Sequence, residues 1–339
     1  MRPIFQPHPV NGPFADPALF VDVLFDRRAL LFDLGDIAAL PPRKILRTSH
    51  VFVTHTHMDH FVGFDRLLRI CLGRVRPLTL FGPAGFIEHV QHRLASYTWN
   101  LVENYSADLV ITACEVSADG SRLSRATFNS RERFRRRDGN ATGLLNGLLL
   151  DEPALQVRCA LLDHGVPCLG FALQEAMHVN VWPNRLAELG LVPGAWLRDA
   201  KRAIIAGAPD DTPVTAQSRE GATLRETRLC LGTLRHTAVR CVPGQKIAYV
   251  SDVAWQDCNR QRITHLAADA DFLFIEATFL ERDADEARRK SHLTARQAGS
   301  IARESRAREI VPFHFSPRYA DCEAALVGEA RGAFRGTTV

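Results

Sequence analysis

The run Thr54-His55-Thr56-His57-Met58-Asp59-His60 places three imidazoles and a carboxylate within residues 55–60, directly after the apolar Val51-Phe52-Val53. Neither core packing nor helix formation asks for that density of ligating groups. A pair of divalent ions does. Neutral imidazole and carboxylate together suit zinc, manganese or iron, and two ions about 3.5–4 Å apart can clamp the attacking and leaving oxygens of one displacement. The residue types therefore point to a binuclear metallohydrolase centre.

Four later points carry residues of the same kind: Asp163-His164 after Leu161-Leu162, Asp252 after Tyr249-Val250-Ser251, His292 ahead of Leu293-Thr294, and His314 after Pro312-Phe313. Three follow apolar runs that read as strands, and His292 precedes a helical pattern. Strand ends hold ligands on rigid elements while leaving them open to solvent. A histidine after a strand is by itself usually a packed or surface residue. It is the H-x-H-x-D-H cluster that gives the later ones weight. His8, His50, His89, His92, His178, His236 and His265 read as structural or exposed.

The elements that must position these residues show in the apolar pattern. Runs 18–25 and 29–32 form a hairpin of buried strands, with a turn at 33–36. Residues 51–54 are a strand whose end delivers the cluster. Helices are expected at 64–72, 86–97 and 294–304. Further strands are expected at 78–81, 109–116, 123–129, 155–162, 169–173, 246–250, 272–275 and 310–313. Residues 184–242 are less regular, with glycine and proline punctuation. The pattern suggests two packed sheets with outer helices and a site on one rim.

Composition narrows the classes. Of 339 residues, 46% are hydrophobic, enough for a sizeable core, and 24% are charged, which excludes global disorder. A net charge of +4 is a weak argument for a nucleic-acid partner at this size. Lysine is confined to Lys44, Lys201, Lys246 and Lys290, so the positive charge is nearly all arginine, a choice that suits phosphate and equally reflects codon usage. Residues 131–137 hold five arginines around Phe134. They read either as phosphate contacts with a stacking ring or as a solvated hairpin tip. No run approaches the ~20 apolar residues of a membrane span, and the proline-broken Met1-Arg2-Pro3-Ile4-Phe5-Gln6-Pro7 lacks a signal-peptide core. Cys71, Cys114, Cys159, Cys168, Cys230 and Cys241 fall in apolar or strand-like runs and read as reduced core residues of a cytoplasmic protein.

On the first cluster the chain resembles the metallo-β-lactamase superfamily. Four later stretches make it similar to ribonuclease Z, the tRNA 3′-processing endonuclease: Leu162-Asp163-His164-Gly165-Val166-Pro167, Phe274-Ile275-Glu276-Ala277-Thr278-Phe279, Ser291-His292-Leu293-Thr294-Ala295-Arg296-Gln297-Ala298 and His314-Phe315-Ser316-Pro317-Arg318-Tyr319. Order and spacing fit from about residue 50 to residue 320. The resemblance implies an α/β chain with the metallo-β-lactamase αββα four-layer sandwich. It implies a single domain over 1–339, with a substrate-binding arm inserted near 184–242, where Leu189-Gly190-Leu191-Val192-Pro193-Gly194 keeps the arm's character. It implies two divalent ions, zinc before manganese or iron. His55, His57 and His164 would hold one, Asp59, His60 and His314 the other, and Asp252 would bridge them.

By the same resemblance His292 is the general acid, Glu276 orients or charges it, and Asp59 can also hold the proton of the attacking water. Asp163 would support a ligand histidine. Ser316, Arg318 and Tyr319 are expected to contact phosphate, and Arg133, Arg135 and Arg136 to contact RNA. The expected partner is a tRNA precursor, the expected assembly a homodimer, and no membrane is involved. The alternative is a hydrolase of a small phosphodiester, lactone or thioester, which the same ligands would serve.

Overall fold

The computed structural model describes residues 4–24, 26–74, 77–220 and 223–337. Phe25, expected in the first apolar run, lies outside the described residues, as do Met1, Arg2 and Pro3 of the N-terminal stretch and Gly221 and Ala222 within 184–242. The chain divides into two compact units, one of Leu150–Gln156 with Gln174–Gln245, the other of Ile4–Leu149, Val157–Leu173 and Lys246–Val339.

The larger unit is built on two sheets. In the first, Phe5–Pro9, Leu19–Val23, Arg28–Phe32, Thr48–Phe52, Leu78–Gly82, Val110–Val116, Arg122–Asn129 and Arg136–Asp138 lie side by side in chain order. Arg28–Phe32 through Val110–Val116 are parallel, so helices such as Phe64–Cys71 and Phe86–Ala95 make the crossovers that parallel strands require. In the second sheet Lys246–Val250, Phe272–Glu276 and Glu309–Phe313 are likewise parallel, with helices Asp257–Leu266 and Ala295–Glu304 between them.

Alternation along each strand sorts side chains into layers. Phe32, Phe52 and Phe81 stack at 5.1 and 5.0 Å, and Phe171 and Tyr249 from the second sheet meet them at 5.6 and 5.9 Å. Their neighbours Leu31, Val51 and Leu80 turn the other way and pack with Phe64, Leu67, Phe86 and Val90 of the helices. On the second sheet Val250, Leu273 and Ile275 pack with Ala298, Ile301 and Leu326. Strands covered on both faces read as near-continuous apolar runs. The result is a helix–sheet–sheet–helix sandwich.

Residues 184–242 are more regular than their sequence suggests. They hold helices Pro183–Glu188, Trp196–Ile205 and Leu231–Thr237 and the antiparallel pair Pro213–Glu220 and Thr223–Cys230. Trp196, Ala200 and Ile204, spaced one helical turn apart, bury against Leu186, Val214, Leu231 and Leu234. Cys230 and Cys241 are exposed rather than core, because their strands keep a solvent face; all eight cysteines are free. Residues 131–137 are not a free tip either. Arg136–Asp138 pairs with Arg122–Asn129, and Phe134 is buried with its ring 4.6 Å from Trp99, so it offers no stacking face. Among the described residues no helix is long and apolar enough to cross a membrane.

Candidate metal centre

The residues singled out as ligands sit just beyond strands of the larger unit, in the turns that follow them, or on the short helix that follows the first of these strands. Thr48–Phe52 stops two residues short of its expected end, because the Thr54 amide and hydroxyl turn to Asp33 Oδ1, at 2.7 and 2.9 Å. His55 follows, and His57 opens the short helix Met58–Phe61 that carries Asp59 and His60. His164 lies in the turn after Leu155–Asp163, Asp252 two residues past Lys246–Val250 and His314 one past Glu309–Phe313.

These side chains converge. Ligand atoms of His55, His57, His164 and Asp252 lie within 4.8 Å of one another, and so do those of Asp59, His60 and His314. Asp252 also groups with His292 and His314. Its Oδ2 is 3.8 Å from His55 Nε2 and 3.5 Å from both His60 Nε2 and His164 Nε2, and its Oδ1 is 3.1 Å from His314 Nδ1. The carboxylate thus touches both groups.

The donor set fits divalent ions on the orientation of its rings. His60 Nδ1 donates to Asp33 Oδ2 at 2.9 Å, and His164 Nδ1 donates to the Ser291 carbonyl at 2.7 Å. Each bond fixes the tautomer and leaves the Nε2 lone pair facing the cluster. The buried Nε2 atoms of His55 and His60 have no hydrogen-bond partner, an arrangement that costs free energy unless a cation completes it.

The electrostatics agree. Burial lowers the His55 imidazole to about 2, with His60 adding to the effect, and burial also lowers His57. Burial works against charge at His60 too, but Asp252 and Asp33 outweigh it and hold that ring well above its ordinary range. Burial opposes ionisation of Asp252, yet His314 and His60 keep it well below the carboxylate range. The field at the centre therefore favours positive charge.

Beside the ligands stands His292, whose Nδ1 is 3.1 Å from Glu276 Oε2. Glu276 ends the strand Phe272–Glu276, is fully buried, and also accepts from the amides of Val253 at 2.7 Å and Leu293 at 3.2 Å. Burial disfavours a charged His292, but Glu276 prevails and raises it to about 9. The backbone is strained around the centre: Asp33, Ser291 and His314 adopt φ of 56°, 59° and 59°, a conformation that costs on the order of 1–3 kcal/mol at a non-glycine residue.

Two sequence expectations need correction. Asp163 does not support a ligand histidine; its oxygens accept from the Gly165 amide at 2.8 Å and from Gln256 at 3.2 Å. It shapes the turn that carries His164, and Ser291 does the supporting. Tyr319 is buried and gives its hydroxyl to Asp283, which keeps it from any phosphate. Ser316 lines the cleft beside His314. Arg318 lies 5.4 Å over the Phe279 ring. Arg133 and Arg136 pair with Glu103 and Asp138, each at 2.7 Å, and Arg135 has no carboxylate partner among the described residues.

Asp33 is the functional residue the sequence reading passed over. It is fully buried and accepts from His60, Thr54 and, at 3.0 Å, the Tyr249 hydroxyl. The available signal was an acidic residue ending an apolar strand, which reads equally as a turn.

The helix–sheet–sheet–helix sandwich is that of proteins of the metallo-β-lactamase fold. The structure is similar to that of the metallo-β-lactamase fold protein YhfI from Bacillus subtilis, with a TM-score of 0.52 and 14% identity over 98% of this chain and 95% of that one. It is also similar to the short form of human tRNase Z, with a TM-score of 0.53 and 18% identity over 93% of each chain. No family model matches the sequence. Ribonuclease Z of Deinococcus radiodurans is 32% identical over 319 residues, 93% of this chain and 91% of the relative. The chain belongs to the ribonuclease Z family, and is thereby a metal-dependent endoribonuclease of the metallo-β-lactamase fold.

Proposed function

We propose that this enzyme removes 3′ trailers from tRNA precursors by hydrolysing the phosphodiester after the discriminator nucleotide, with two zinc ions in its centre. The observation that carries the reading is one carboxylate, Asp252, in contact with two ligand groups while a glutamate-charged imidazole, His292, stands at their edge. His55, His57, His164 and Asp252 would hold one ion, and Asp59, His60, His314 and Asp252 the other. When bound, such ions provide a nucleophile from water near neutral pH and neutralise charge on the phosphoryl oxygens.

The chain's own groups do the rest. The Asp59 carboxylate, 42% exposed toward the cleft, takes the proton of the attacking water. His292 holds Nδ1 against Glu276 and gives a proton from Nε2 to the departing 3′-oxygen. The phosphorus–O3′ bond breaks as the new phosphorus–oxygen bond forms, leaving a 3′-hydroxyl and a 5′-phosphate. Residues 184–242 are the proposed arm for the tRNA body within an otherwise single-domain chain, with Arg198 and Arg202, which share Asp199 at 3.7 and 3.9 Å, and the half-buried Lys201 as the basic residues of the helix Trp196–Ile205. The enzyme acts in the cytoplasm as a homodimer.

The test pairs elemental analysis with cleavage of a 3′-extended tRNA in zinc or manganese. Two equivalents of metal and a single cut after the discriminator nucleotide are expected. Hydrolysis of bis-p-nitrophenyl phosphate with the tRNA left intact would replace this reading with that of a small-phosphodiester hydrolase.

A further inference from the structure

The cleft of about 290 Å³ over Asp59, His292 and His314 does not stop at the reacting groups but continues to Phe14, Lys290 and Ser316. None of these three belongs to the metal-ligating groups. The half-buried Phe14 ring is held edge-on to Phe315 at 5.3 Å, and the Phe315 amide ties to the Pro13 carbonyl at 2.7 Å, so the ring is a fixed wall. The Ser316 amide bonds the Thr278 carbonyl at 3.0 Å, whereas its hydroxyl makes no hydrogen bond among the described residues. Lys290, 52% exposed, is 3.4 Å from Glu286. Arg289 and, at 3.7 Å, Arg318 draw on the same carboxylate. Three cations thus gather at Glu286, and of them Lys290 lines the cleft, which Asp16 and Asp59 also line.

Lys290 lies on the side of His292, since it stands 5.8 Å over the Phe279 ring whose centroid is 6.1 Å from that imidazole, and the aromatic wall and free hydroxyl line the same cleft. A proton donor at the leaving 3′-oxygen must face the nucleoside that departs with it, so the cleft beyond His292 receives that nucleoside. We propose that Phe14, Ser316 and Lys290 form a subsite for the single ribonucleotide on the 5′ side of the scissile bond. Phe14 stacks on its base, a contact that tolerates any base because every base has a π-face. Ser316 bonds the ribose, where the 2′-hydroxyl distinguishes RNA from DNA. Lys290 meets that nucleotide's own 5′-phosphate. The polarity rests on the ribonuclease Z reading of His292.

Binding of fluorescent mononucleotides to the metal-loaded protein tests the subsite without turnover. 2-Aminopurine riboside 3′-monophosphate should be quenched on binding, and Phe14→Leu, which keeps bulk but removes the ring, should weaken it about tenfold. Lys290→Gln should weaken the 3′,5′-bisphosphate several-fold and leave the 3′-monophosphate unchanged. Elemental analysis of each variant separates loss of the wall from loss of metal. Unchanged 3′-monophosphate binding in Phe14→Leu overturns the subsite. Cleavage of 3′-extended tRNA is scored separately. Phe14-dependent 3′-monophosphate binding in a protein that leaves this tRNA uncut overturns the tRNA reading and keeps the subsite; tRNA cleavage with unchanged binding overturns the subsite alone.

Discussion

At the metal centre three carboxylates, Asp33, Asp252 and Glu276, are buried and each is surrounded by donors that fix its direction. Along residues 131–137 five arginines stand mostly exposed, and Arg133, Arg136 and Arg137 turn to local carboxylates. A buried charge in a low-dielectric setting interacts strongly and costs much when unpaired. An exposed ion pair is screened and contributes only about 0.2–1 kcal/mol. Density of charge in the sequence is thus a poor guide to where charge acts; enclosure decides it.

The comparison breaks first if the enclosed carboxylates prove dispensable. Asp252→Asn removes the group shared by both ligand sets and should lose metal from each, with turnover falling on the order of 10³-fold or more as several kcal/mol of stabilisation disappear. Elemental analysis and single-turnover cleavage read both effects. Next comes His292→Ala, expected to slow cleavage about 10²–10⁴-fold, the usual weight of a general acid, with metal content unchanged. Glu276→Gln sharpens the point through pH. His292 is raised to about 9 in the folded enzyme with Glu276 as the raising charge, so it is protonated below that pH and loses its proton as pH rises through it. Removing the glutamate charge should move the alkaline fall in kcat/KM to lower pH, and an unmoved limb would show that another group sets it.

Asp33→Asn follows in size. The amide cannot hold the His60 Nδ1 proton and the Tyr249 hydroxyl as a carboxylate does, and lost support of a ligand histidine weakens metal affinity about 10–100-fold. Because His60 belongs to the group with Asp59 and His314, one equivalent should be lost before the other, which a metal titration resolves. Equal loss from both sites would contradict the separate anchoring of the two groups.

Asp33 also marks the limit of what the sequence makes legible. The ligands stand out because H-x-H-x-D-H is dense and local, and strand ends follow apolar runs. Asp33 meets His60 across 27 residues and Tyr249 across 216, and a turn-like Asp33-Leu34-Gly35 carries no trace of either partner. Phe134 and Tyr319 fail for the same reason: they are aromatic residues beside arginine, the pattern of a nucleic-acid surface, but Trp99 and Asp283, distant in sequence, bury the first and bind the second. In 184–242 the spacing of Trp196, Ala200 and Ile204 was present. The polar hairpin around it, with strands such as Thr223–Cys230 largely exposed, hid how regular the segment is.

The smallest expected effect concerns the arginines. If each acted on phosphate, Arg133→Gln, Arg135→Gln and Arg136→Gln together would lower the slope of log K against log salt by the three phosphates neutralised. Arg133 is already engaged by Glu103 through Nε and Nη2, at 3.0 and 2.7 Å, and Arg136 by Asp138 and, at 3.2 Å, Gln91. Freeing either for RNA releases a carboxylate whose repulsion offsets the gain. Arg135 alone lacks such a partner among the described residues, so the triple variant should change the slope by about one phosphate contact, and Arg135→Gln by itself should reproduce the whole change. A drop corresponding to three contacts would mean that these pairs open on RNA, and that the exposed run serves binding as directly as the enclosed carboxylates serve the metal centre.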